Sequence, residues 1–336
     1  MNAVSKLRRH LYILDVGHGN CTVVVGDTEV VVVDVGRRSG LLEFLDQQCI
    51  KRIRTVYLSH ADEDHIGALV GLLASGIVTI DRVVLNSDAL KDTEIWNDLA
   101  YELNSAHMAG TLKLDVGLVS GKGENFGDIE IRVMAPSPYL ALKGVGNKNG
   151  SGRRITSNSI SAVIRISVSG KHVAILPADI DGIGLDDLLM QNMDLKTPIL
   201  VYPHHGGRPG AADIRSFTER LLEAVEPITV VFSFGRGRYG APNPEIISVL
   251  REIMPAARIV CTQLSEHCSK TEPSGSISHL SSAFALGRED YHCCGGTIVV
   301  PLDNAHDIKP RQDDHITFIR SDVETPLCLR DLDSVQ

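Results

Sequence analysis

Short apolar runs separated by glycine and polar turns recur along the chain, and two stretches share one layout. Residues 11–36 carry an apolar strand, a break at Gly26-Asp27 and the run Val30 to Val33, which ends at Asp34. Residues 160–179 repeat it, with Ile160 to Val168, a break at Ser169-Gly170-Lys171, and Val173 to Leu176 shortly before Asp179. Each predicts a hairpin with an acid at a strand end. Helical spacing of apolar residues predicts helices over Gly40–Cys49, Gly67–Leu73, Ala89–Met108, Ser216–Val225 and Asn243–Met254. Val83-Val84-Leu85 and Thr229-Val230-Val231-Phe232 alternate little, the mark of strands covered on both faces. An α/β fold of two similar halves, sheet packed on sheet with helices outside, fits this pattern. After Pro301 the chain becomes polar and acidic with weak periodicity. Residues 1–302 are therefore expected to form one domain. Residues 303–336 are expected to be a C-terminal extension that packs late or meets a partner, either another protein or a second copy.

Composition narrows the class. A chain of 336 residues with 43% hydrophobic positions can bury a large core. No apolar run approaches the roughly 20 residues needed to span a bilayer, and Met1 to His10 lacks the apolar segment of a signal peptide. The expectation is a cytoplasmic protein with no membrane partner. A net charge of −9 excludes indiscriminate nucleic-acid binding over the whole surface but leaves room for a local basic groove. The segment 143–154 holds Lys143, Lys148, Arg153 and Arg154 with no acid among its glycines. It is either a flexible linker or a flap that contacts phosphate.

The chemistry concentrates where apolar runs end. Thr55-Val56-Tyr57-Leu58 leads into His60-Ala61-Asp62-Glu63-Asp64-His65, which places four metal-binding side chains, His60, Asp62, Asp64 and His65, within one turn. Imidazoles suit zinc, iron or manganese, and carboxylates bridge harder cations, so a mixed cluster fits a hydrolytic dinuclear centre. Two later runs end in matching groups: Ile175 to Ala178 in Asp179, and Ile199 to Pro203 in His204-His205. Strand ends are how an α/β scaffold fixes a site on rigid elements. Asp64, His65 and Asp179 are expected to converge although over a hundred residues separate them. A carboxylate held between two ions about 3.5–4 Å apart helps generate hydroxide near neutral pH, and Asp179 is the candidate bridge. Glu63, between two ligands, reads as a surface acid.

These segments resemble the metal signature of the metallo-β-lactamase fold. More narrowly, they resemble the nuclease-like domain of ComEC-type DNA-uptake proteins and their soluble relatives. The resemblance rests on Leu14-Asp15-Val16-Gly17-His18-Gly19-Asn20, Val33-Asp34-Val35-Gly36, Leu58-Ser59-His60, Asn158-Ser159-Ile160-Ser161, the strand ending at Asp179, and Pro203-His204-His205-Gly206. It covers roughly residues 10 to 300 and implies a four-layer αββα sandwich holding one or two divalent ions, zinc or manganese. It also implies His60 and Asp62 on one ion and Asp64 and His65 on the other, with His204 or His205 completing the second. Asp34, with Asp15, would orient ligand imidazoles. Hydrolysis would depend on Asp64, His65, Asp179 and His205.

The chain departs from the family in three places. Ser157-Asn158 stands where a His usually precedes the bridging acid, Ala241 replaces a His before a Pro, and His18 and Asn20 replace an amide and an acid. Fewer imidazoles favour manganese over zinc.

The expected function is a metal-dependent hydrolase, a phosphodiesterase or nuclease in which metal-activated hydroxide attacks phosphorus in DNA. Lys148, Arg153, Arg154, Arg208, Arg236 and Arg238 are the expected phosphate contacts, since guanidinium geometry suits phosphate oxygens. Asn158 is a substrate-binding candidate, and Tyr239 either stacks on a base or packs. The low aromatic content, 4%, also fits a hydrolase of small substrates such as a cyclic nucleotide, an ester or a lactam. A regulatory or assembly subunit of a defence-type complex is the third class. Seven cysteines, an odd number, argue against a disulfide framework. Cys261, Cys268, His292 and Cys293 either hold a structural zinc or are buried thiols and an unrelated His.

Overall fold

The computed structural model describes residues 8–273 and 277–329. Two seven-stranded sheets pack face to face. The first runs Ile298–Pro301, His10–Ile13, Cys21–Val25, Val30–Val35, Thr55–Tyr57, Arg82–Leu85, Lys113–Val116. The second runs Arg258–Cys261, Thr229–Phe232, Ile199–Val201, Lys171–Leu176, Val163–Val168, Ile129–Ala135, Gly123–Phe126. Both predicted hairpins form, and in each the second strand continues into a parallel series, so the two halves share one construction.

The valine run explains the layering. Side chains alternate across a strand, so Val31 and Val33 point between the sheets with Ile131, Ile164 and Val201, while Val30 and Val32 point outward. Outside the first sheet lie the helices Gly40–Gln47, Glu63–Ser75 and Glu94–Met108, buried through Phe44, Leu69 and Leu99. Outside the second lie Gly182–Met190, Ile214–Val225, Pro244–Ile253 and Gln312–Asp322. The result is the four-layer αββα sandwich.

Several elements differ from their predicted bounds for local reasons. The helix predicted from Gly67 starts at Glu63, with extended Asp62 before it, so Asp64 and His65 lie in its first turn. The helix predicted from Ala89 starts at Glu94 because the Asp88 carboxylate accepts from Leu90 N and holds a turn there. Gln312–Asp322 has no predicted counterpart. Its weak pattern still buries His315, Phe318 and Ile319 against the second half, followed by Val323. Residues 330–336 of the extension lie outside the described residues. Among the described residues no helix is long and apolar enough to cross a membrane.

Candidate metal centre

Parallel strands deliver their carboxyl ends to one edge of the sandwich, and the expected ligands sit just beyond them. Asp34 is the next-to-last residue of Val30–Val35, His60 follows Thr55–Tyr57, Asp179 follows Lys171–Leu176, and His204 and His205 follow Ile199–Val201. The turns are tight: Asp34, Ala178, His204 and His205 all have φ between 49° and 57°. Non-glycine residues in that region cost about 1–3 kcal/mol each and persist where the surroundings enforce them, often at functional sites.

Hydrogen bonds orient each imidazole. His65 Nδ1 donates to Asp34 Oδ2 at 2.7 Å, which turns Nε2 toward Asp179 Oδ1, 3.4 Å away. His205 Nδ1 donates to the Ser233 carbonyl at 2.8 Å, and its Nε2 lies 3.1 Å from Asp64 Oδ2 and 3.7 Å from Asp179 Oδ2. His60 Nδ1 meets the Ser59 hydroxyl oxygen at 3.0 Å and that of Ser161 at 3.3 Å. The Ser59 hydroxyl in turn donates to Asp34. His204 donates from Nε2 to the Ile180 carbonyl, leaving Nδ1 3.6 Å from Asp179 Oδ2.

A consequence is a set of buried polar atoms with no hydrogen-bond partner: Nε2 of His60, His65 and His205, and Oδ1 of Asp179. Buried polar groups are rarely left unsatisfied. Lone pairs of neutral imidazoles and carboxylates are the donors a divalent ion requires, so the residues fit a metal. Among the described residues, two groups have ligand atoms within 4.8 Å of one another: His60, His65 and Asp179, and His18, Asp64 and His205.

Charge couples the two groups, since His205 acts on Asp179 and His65 on Asp64. Burial would raise the Asp64 and Asp179 carboxyls, but the facing imidazoles outweigh it and hold both below the usual range. Burial disfavours a charged His65, yet Asp179 and Asp34 raise its pKa well above the ordinary value. Burial together with His205 lowers His18 to about 4.

Several of the expected residues lie in a different arrangement. Asp62 joins neither group; its Oδ1 pairs with the Lys91 ammonium, and Oδ2 stays 3.7 Å from His60 Nε2. His65 groups with His60, not with Asp64. Of the two adjacent imidazoles, His205 enters a group and His204 does not. Asp15 touches no ligand imidazole: its oxygens accept from Gly17 N, Gly287 N and Gln263 Nε2. It therefore anchors the turn that carries His18.

Arg236 is a buried strut whose guanidinium donates to the carbonyls of Leu264, Ser269 and Lys270, so it has no free fork for phosphate. Arg153 pairs with Asp186 on a separate groove, and Lys148 and Arg154 are paired by a backbone β-bridge within their own turn. Gly146 of that loop packs on Leu90, the neighbour of Lys91 on the cleft wall. Asn158, on the turn Asn158–Ile160, is likewise not among the cleft walls. The four zinc candidates do not converge, because Cys293 Sγ turns to Asp15 and His292 Nε2 to Glu272. Cys261 and Cys268 lie buried in the outer core of the second half.

A cleft of about 460 Å³ opens over the donors, walled by His18, Lys91, Arg208, Tyr239 and Ala241 among others. Arg208 and Arg238 are exposed and pair with no carboxylate among the described residues. Arg37, also on the wall, is held by both oxygens of Glu63 at 2.8 and 3.0 Å. Sequence reasoning missed Lys91 and the placement of His18, since an isolated Lys or His after a turn carries no periodic signal.

A family model described as the Metallo-beta-lactamase superfamily matches residues 14–222. The chain belongs to that superfamily, as a metal-dependent hydrolase. It is similar to ComE operon protein 3 of Bacillus subtilis (strain 168), at 24% identity over 216 residues that make up 63% of this chain and 24% of that protein. The chain thus spans about a quarter of that relative's length. Similar solved structures include the metallo-beta-lactamase fold protein YhfI from Bacillus subtilis, with 10% identity and a TM-score of 0.47 over 75% of this chain and 96% of that one. Another is Tm1679, a metal-dependent hydrolase of the beta-lactamase superfamily, with 16% identity and a TM-score of 0.46 over 75% and 95%.

Proposed function

We propose that the protein is a phosphodiesterase that cuts DNA in this cleft. The observation that carries the proposal is a set of cations beside the donor cluster in a chain of net charge −9: Lys91 and Arg208 on the cleft wall and Arg238 in the adjoining depression. The wall also carries Asp62 and Glu63, which pair with Lys91 and Arg37 and leave Arg208 and Arg238 open to phosphate. Bound zinc or manganese supplies an activated water and neutralises charge on the attacked phosphorus.

The chain's own groups supply the rest. Asp34, Ser59 and Ser233 lock the imidazoles in one orientation, so little reorganisation accompanies metal or substrate binding. Arg208 offers a planar fork to the non-bridging phosphate oxygens, and the Lys91 ammonium, already on Asp62, adds positive charge at the wall. Tyr239 is 82% exposed, with its ring 4.8 Å from that of His18, and offers a face on which a base can stack.

The test is cleavage of closed-circular, linear duplex and single-stranded DNA with manganese or zinc, beside a generic small phosphodiester. The proposal expects polymer cleavage to exceed small-substrate turnover and cut circles to reveal endonuclease action. Turnover of the small ester alone would overturn it.

A further inference from the structure

We propose that His18 is a metal ligand, joining Asp64 and His205 on one of two ions, with His60 on the other and Asp179 close to both. The proposal rests on the metal-dependent reading of the cleft and is independent of DNA as the substrate.

Ligands about 2.0–2.2 Å from a shared tetrahedral ion lie roughly 3.3–3.6 Å apart. Asp64 Oδ2 lies 3.5 Å from His18 Nε2 and 3.1 Å from His205 Nε2, and the three ligand atoms fall within 4.8 Å of one another. The two rings sit 4.5 Å apart, tilted at 52°, without the parallel overlap of a stacked pair. His18 Nδ1 is buried without a hydrogen-bond partner, so no contact of that nitrogen accounts for the ring's placement.

The turn that carries His18 is built to hold it. Asp15 Oδ1 accepts from Gly17 N at 3.1 Å, the Ser233 hydroxyl donates to the Gly19 carbonyl at 2.9 Å, and Asn20 N donates to the Asp64 carbonyl at 3.3 Å. Ser233 thereby fixes both the turn and, through its own carbonyl, His205. Gly19 has φ +141°, and a Cβ there would lie 2.4 Å from the Asp64 carbonyl oxygen. A Cβ on Gly235 would lie 2.5 Å from His18 N. Backbone packed this closely on both sides positions one ring against one carboxylate. Asp62 gives one oxygen to Lys91 and stands outside both groups, whereas His18 adds a donor from the opposite wall.

The experiment titrates the chelator-stripped full chain with cobalt, counting bound ions by elemental analysis and following the visible absorption of the loaded centre. The unmodified chain is expected to bind two ions. His18→Gln, which restores the amide common in the family, is expected to keep one and to weaken the second roughly 10–100-fold, with loss of part of the spectrum. Asp62→Asn is expected to retain both. Circular dichroism of the stripped variant checks the fold. Should it misfold, the unmodified cobalt protein carries the test: four shifted ring N–H resonances, from His18, His60, His65 and His205, are expected. Three such signals, a single ion in the unmodified chain, or unchanged affinities and spectrum in a folded His18→Gln would each overturn the proposal. A chain that holds two ions through His18 yet cuts no DNA overturns the substrate reading alone.

Discussion

Asp34 binds no expected ion, yet it connects three parts of the site. One carboxylate oxygen accepts from His65 Nδ1 and from the Ser59 hydroxyl, the other from Ser59 N at 2.8 Å. Removing its charge leaves His65 free to choose the other tautomer or rotate. Asp34→Asn should therefore weaken metal binding by roughly 10–100-fold while the protein still folds, measured by competition with a chromophoric chelator. Unchanged affinity would mean that packing alone holds His65. At this scale, residues at the ends of apolar runs are legible in the sequence, because an acid or imidazole closing a buried strand has few alternative roles. Side chains on turns are not. Arg236 in a glycine-rich stretch reads as exposed, yet its guanidinium caps three carbonyls. Asp15 sits beside the motif and faces away from the ligands.

Among elements, the turn Gly17 to Asn20 and the start of Glu63–Ser75 behave as one unit, since Gly19 leaves no space for a side chain against Asp64. Gly19→Ala forces a φ that L residues avoid and a clash with backbone. A loss of at least about 1–3 kcal/mol in denaturant unfolding is expected, with weakened metal binding. The C-terminal helix Gln312–Asp322 illustrates a different limit: three buried side chains in a polar segment make too faint a pattern to read, and burial comes from the surface it meets. His315, buried within it, is held down to about 3 by burial first, then by Arg258 and His279. The unfolded chain binds this proton near 6.5 and the folded chain does not. Stability should therefore fall as pH drops from about 6.5 toward 3, by up to ~1.4 kcal/mol per unit from this site. Urea unfolding at pH 7 and pH 4.5 should show a shallower loss in His315→Leu than in the parent. Equal slopes would assign the acid sensitivity elsewhere.

For the whole molecule, the sandwich and its duplicated halves follow from hairpin and strand patterns, but the order of strands does not. Ile298–Pro301 crosses back to pair with His10–Ile13, a contact across nearly the full chain that no local pattern encodes. The same long-range assembly decides which cations face the cleft: Arg208 and Lys91 do, Arg153 does not. Arg208→Ala/Arg238→Ala should flatten the log–log salt dependence of duplex binding by about two units, read by fluorescence anisotropy. Arg153→Ala/Arg154→Ala should leave the slope unchanged. The reverse outcome would move the DNA path onto the other groove.

The central claim is that the buried His and Asp cluster holds the ions on which hydrolysis depends, and Asp179→Asn tests it most directly. Asp179 lies 3.4 Å from His65 Nε2 and 3.7 Å from His205 Nε2, so its charge serves both donor groups. Metal content and phosphodiester cleavage are measured together on variant and parent, with the melting temperature of the stripped proteins as the control for folding. The account predicts fewer bound ions and a cleavage rate lower by about three or more orders of magnitude, at little cost to the stripped fold. A folded Asp179→Asn protein that keeps its ions and cuts at the parental rate would contradict it.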